Sequence, residues 1–268
     1  MAMTAFDFDL ARIVAPFRMQ PGLQRLAPGT PQLTPLAAGS ALWHEKKRVH
    51  DAGASRLVVP RFDARPATEA ILAQARDQGM DCSEPIELAC EEDFAVLDGA
   101  STTLPWLCVC VPSHWAPEEK LGQPFAAVHA PVADKQALLA ASRQLVTLVT
   151  SGERFERFVW TVSPSGRHDQ HPLRHARTPW PATQDQQGFA QQCFLRAERQ
   201  TFFPVAGTSG QAVFTIRVML RPLTEAVTRR DDAQRLHAAL ASMSDAVLAY
   251  KGLAPARERL LAWLADGV

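Results

Sequence analysis

The chain carries a single tyrosine in 268 residues, only five cysteines, and no surplus of either charge: 28 Lys and Arg balance 28 Asp and Glu. Without a basic stripe there is no electrostatic footprint of a nucleic-acid binder. No apolar run approaches the roughly 20 residues that a membrane-crossing helix needs. Cys82, Cys90, Cys108, Cys110 and Cys193 are odd in number and form no C-x-x-C. Neither a disulfide framework nor a zinc knuckle fits that spacing. A strand followed by G-x-G-x-x-G, a P-loop and a G-x-S-x-G elbow are missing too, which removes the usual signals of nucleotide binding and of serine hydrolysis. The first residues, MAMTAFDFDLAR, contain two early Asp and no basic n-region, so they do not read as a signal peptide. A cytoplasmic protein with no membrane or nucleic-acid partner is the expectation.

What is present is ample apolar content, 47% of residues, and an uneven distribution of proline and glycine. Residues 1–40 are rich in both and read as an extended arm, with Phe17, Met19 and Leu23 available to enter apolar grooves. Residues 41–268 read as a single domain with C-terminal helices. The run WHEKKRVH from Trp43 reads as a short polar, solvated segment. Strand signals follow at Val58–Phe62, Leu104–Val111, Phe158–Val162, Gln192–Arg199 and Ala212–Leu220. The last is the clearest, because Phe214, Ile216 and Val218 alternate with Thr215, Arg217 and Met219. Helical spacing marks 67–78, 133–150 with Asp134 as cap, 233–250 and 255–265. The pattern predicts an α+β fold, an antiparallel sheet of about five strands covered by helices.

Of eight histidines, His129 stands apart. It follows the apolar segment Phe125–Val128, read as a strand, and precedes the loop opened by Ala130 and Pro131. A neutral imidazole so framed suits an iron ligand, although a lone histidine is more often a hydrogen-bonded core or loop residue. His168, His171 and His175 have ligand-like gaps, but they lie in an irregular Arg- and Pro-rich stretch, 163–190, and read as a solvent-facing loop. On LRAERQTFFP, Arg196, Glu198 and Gln200 share one strand face, opposite Ala197, Arg199 and Thr201. Such charge density suits either a structural Arg–Glu network or an Arg that meets an anionic ligand.

The ordered blocks EEDFAVL (91–97), VPSHW (111–115), LGQPFAAVHAPV (121–132), FVWTV (158–162), RAERQTF (196–202), AVFTIRV (212–218) and AYKG (249–252) resemble the haem-dependent oxidative N-demethylase α-subunit family. The similarity runs from about residue 15 to 265. It implies a PAS-like antiparallel sheet that binds haem b through one axial histidine, matched here by His129. It also implies oxidation of a small secondary amine such as dimethylamine by dioxygen, with release of formaldehyde. Electrons would come from NADPH through a separate flavin and iron–sulfur reductase. The resemblance offers Arg196, Arg199, Trp115 and Trp160 as contacts of the cofactor, and Glu198 and Tyr250 as catalytic contacts of the amine. Glu92 and Asp93 are further candidates for an anionic wall. For Tyr250 the packing of a helix end is the competing reading. A PAS-like sensor of haem or another small ligand, without catalysis, is the alternative function, and assembly into a homo-oligomer is left open.

Overall fold

A computed structural model describes residues 6–130, 133, 136–183, 185–208 and 210–266. The expected cap Asp134 lies outside these. The described strands are β1 (Gln24–Arg25), β2 (Arg56–Val58), β3 (Asp93–Asp98), β4 (Trp106–Cys108), β5 (Phe155–Ser163), β6 (Phe194–Pro204) and β7 (Gln211–Pro222). They form one antiparallel sheet of seven strands in the order β1-β5-β6-β7-β3-β4-β2. The helices are α1 (Ala41–Asp51), α2 (Arg65–Asp77), α3 (Ile86–Ala89), α4 (Phe125–Val128), α5 (Gln136–Ala140), α6 (Ser142–Val149), α7 (Gln186–Gln191), α8 (Leu223–Ala226), α9 (Arg230–Ala241), α10 (Asp245–Lys251) and α11 (Arg257–Asp266). The α+β class is as the sequence predicts. Two strands lie outside the predicted segments: β1 has only two residues, too few for alternation to register, and β3 is buried on both faces, so it shows no alternation. β2 ends at Val58, where the predicted strand begins.

The long pair β6–β7 is the spine. It continues outward through β5 on one side, Phe155 facing Phe202 and Ser163 facing Phe194, and through β3 on the other. Strand alternation divides the side chains. One face carries Trp160, Val162, Leu195, Ala197 and Met219 under α9, α10 and α11. The other carries Phe155, Phe202 and Leu97 under α6, with Phe125 of α4 packed against them. Phe202 and Phe214 stack on this second face at 4.7 Å. The predicted helix over 233–250 divides at Ser242–Ser244, where Ser244 caps α10 by accepting from Val247 N. The N-terminal segment is bolted on: Phe8, Leu10 and Ile13 enter the first face's core, and Phe17 meets Trp160 edge-on at 5.6 Å.

Two expectations fail here. WHEKKRVH is not a solvated run but the body of α1, with Leu42, Glu45, Lys46 and Val49 buried. Lys46 has no exposed surface, and its Nζ donates to the carbonyls of Cys90, Glu91 and Glu92 and lies 3.2 Å from Asp93 Oδ1. Phe125–Val128 is a single helical turn and not a strand, entered from Pro124 in extended conformation.

Candidate functional site

His129 sits at the C-terminal end of α4, half-buried, its ring 4.1 Å from that of Phe125. Its Nδ1 lies 2.8 Å from the carbonyl oxygen of Phe125. A carbonyl can only accept, so the proton resides on Nδ1 and the Nε2 lone pair is left free. Burial pushes the imidazole below its ordinary value against the pull of that carbonyl, and the charges of Arg157 and Lys120 push it the same way. The result is a neutral, oriented imidazole whose outer nitrogen has no hydrogen-bond partner among the described residues, a donor suited to a metal ion.

Phe125 places His129 against the sheet face that also bears Arg157 and Glu198. On that face Arg157 is opposite Gln200, and Val159 is opposite Glu198. Glu198 accepts a short hydrogen bond from Ser113 Oγ and another, 2.7 Å, from Gln200 Nε2. Ser113 in turn accepts from Arg196 Nε at 2.9 Å. Arg157 differs from its neighbours: its Nε is buried with no partner, and burial depresses its basicity although Glu198 opposes this. Trp115 packs beside Phe214 on the same side of the sheet. Tyr250, at the end of α10, is 46% exposed, and burial of its ring, with the charge of Glu198, pushes its hydroxyl above its ordinary value while Arg157 opposes this.

Several sequence candidates lie elsewhere. Arg196 is fully committed to protein, its remaining nitrogens donating to the carbonyls of Arg167 and His168. Arg199 is on the opposite face, bound to Glu156 and to the Pro31 carbonyl. Neither guanidinium is free for a cofactor's carboxylate. Trp160 also faces the opposite side, among the arm and the C-terminal helices, because Trp160 pairs with Ala197 while Val159 pairs with Glu198. Glu92 is buried beneath the arm, accepting from Thr34 N, and Asp93 is held by Lys46 and Val111 N. Neither can line the face.

The histidine-rich loop is not solvent-facing, for His168 and His171 are buried. Glu45 of α1 accepts from the backbone N–H of His168 and Asp169, Asp169 pairs with Arg174 and His175, and His171 meets Glu118 at 2.9 Å. Among the described residues no group of three or more His, Cys, Asp or Glu could hold a metal ion. Two surface hollows of about 500 and 470 Å³ lie away from His129, beside Trp106 and Arg56 and beside Val14 and Arg235.

Arg157 and Ser113 are the two residues that sequence reasoning missed. The alternation in FERFVWTV places Arg157 opposite the aromatic side of β5, and that signal could have found it. Compared with protein families, residues 62–261 match the one described as haem-dependent oxidative N-demethylase, alpha subunit-like.

Proposed function

Because the chain belongs to the haem-dependent oxidative N-demethylase, alpha subunit-like family, we propose that His129 Nε2 is the iron ligand of a haem b in an enzyme that demethylates a small secondary amine. The observation that carries this reading is the Nδ1–Phe125 hydrogen bond, which fixes the tautomer and leaves Nε2 its lone pair. Haem, when bound, supplies dioxygen activation and oxidation of an N-methyl group, and formaldehyde and the dealkylated amine leave. The electrons come from NADPH through a separate reductase subunit, in keeping with an alpha-subunit-like chain. Among the described residues no helix is long and apolar enough to cross a membrane.

The protein's own residues bind and orient. The Phe125 ring packs against the imidazole at 4.1 Å, tilted by 37°. Glu198 receives the substrate ammonium. Its two hydrogen bonds come from neutral donors, Ser113 and Gln200, so the carboxylate is held in place with no ion pair occupying it. Tyr250, from α10, lies within the electrostatic reach of the same carboxylate. The orphaned guanidinium nitrogen of Arg157 suits a face that receives an anionic group from outside the chain.

The test is an absorption titration of the purified chain with haemin, followed by addition of dimethylamine, NADPH and a reductase. A Soret band with amine-dependent formaldehyde release supports the reading. No Soret band sinks it, and a Soret band without turnover points to the sensor instead.

A further inference from the structure

Arg157 and Glu198 are diagonal neighbours on β5 and β6, opposite in charge and on one half-buried face. Neither makes an ion pair with any described residue, including the other. Glu198 has only the Ser113 hydroxyl and the Gln200 amide, and Arg157 has no side-chain hydrogen bond among the described residues. The other acids nearby are occupied: Glu45 by the 168–169 backbone, Asp169 by Arg174 and His175, Asp93 by Lys46. Cations outnumber the free acid. Lys251, anchored by a 2.7 Å bond to the Trp160 carbonyl, and the buried Arg196 both feel Glu198. A bare dialkylammonium ion would bring one more cation to this surplus and leave Arg157 unanswered. A molecule with its own carboxylate would answer both charges at once.

We propose that the face takes a zwitterion of the N-methyl amino acid class, its ammonium on Glu198 and its carboxylate on Arg157. This rests on the reading of the Glu198 face as the substrate side. It narrows the substrate from a simple dialkylamine to an amine with a carboxylate close by. A haem propionate offers Arg157 the same chemistry, so the two sources of carboxylate need separate readouts.

The experiment is calorimetric titration of the full chain, with and without haemin, using N-methylglycine and dimethylammonium chloride at one ionic strength. N-methylglycine is expected to bind at least about ten-fold tighter, as a charge-assisted pair on a guanidinium implies. R157Q should erase that preference and leave dimethylammonium binding as it was or tighter. R157K should restore part of the preference, and circular dichroism confirms that both variants fold. Equal affinity for the two ligands, or a preference that survives R157Q, overturns the proposal. R157Q that takes up haemin several-fold more weakly while keeping the preference assigns the carboxylate to a propionate and also overturns it. Haemin uptake of the wild type is read from the Soret band and reports on the haem reading by itself. The calorimetric preference without haemin then stands or falls independently.

Discussion

His129 Nδ1 lies 2.8 Å from the carbonyl oxygen of Phe125, one turn earlier on the same short helix. The partner is backbone, so no side-chain substitution at position 125 removes it, and the imidazole is held wherever α4 forms. His129→Ala should therefore abolish the Soret band on haemin titration, or shift it to that of unligated haemin, while the far-ultraviolet circular dichroism stays unchanged. Added imidazole should restore the band in part, because the variant leaves space where the ring stood. A His129→Ala band identical to that of the wild type would show that another group holds the iron.

Ser113 links Glu198 to Arg196, donating to the first and accepting from the second. Ser113→Ala leaves both groups short of a partner in a half-buried place, at a stability cost of about 1–3 kcal/mol. Ser113→Thr keeps the hydroxyl and should recover most of it. If Glu198 is positioned through Ser113, the alanine variant should also weaken ammonium binding several-fold, whereas a purely structural role would change the melting temperature alone.

Lys46 and Asp93 are both buried, 3.2 Å apart at the nearest N–O approach. Burial works against the charge of Lys46, yet Asp93 lifts the ammonium above its ordinary value. Lys46→Met strands the carboxylate and three carbonyls at once, and removing one partner of a buried pair costs about 3–5 kcal/mol. Denaturant unfolding should show that loss, with the double variant Lys46→Met, Asp93→Leu less damaged than the single one. A single variant as stable as the wild type would mean that the pair contributes little.

These cases show what the sequence could convey. The β6–β7 spine was legible because Phe214, Ile216 and Val218 alternate with Thr215, Arg217 and Met219 over a full strand. Lys46 was not, since its partners at 90–93 lie more than forty residues away and nothing local distinguishes it from Lys47, which pairs with Asp51 on the surface. At Phe125–Val128 four apolar residues satisfy either period, so the sequence alone does not separate a strand from a helical turn. The buried His168 and His171 were hidden for the same nonlocal reason, their loop being fastened by Glu45 and Arg196 from distant elements. Local sequence singles out His129 and Glu198 as candidates but not Arg157, whose meaning depends on what fails to pair with it.

Glu92 gives a sign-definite dependence on pH. Its carboxylate is 1% exposed, accepts from Thr34 N through one oxygen and leaves the other, Oε1, without a partner. Burial pushes the group up from 4.5 to about 7, and the Thr34 hydrogen bond and the Arg217 charge only partly oppose this. Below 4.5 the folded and unfolded chains both hold the proton, so the residue contributes no pH dependence there. As pH rises toward 7 the unfolded chain ionises while the folded chain keeps its proton, and stability falls. Above about 7 the whole penalty is present, about 3 kcal/mol. Glu92→Gln cannot ionise and should escape this loss. Unfolding free energies of the two proteins, compared from about pH 4.5 to about pH 8, should therefore diverge in favour of the variant by up to about 3 kcal/mol. A difference that does not change with pH would place the titrating group elsewhere.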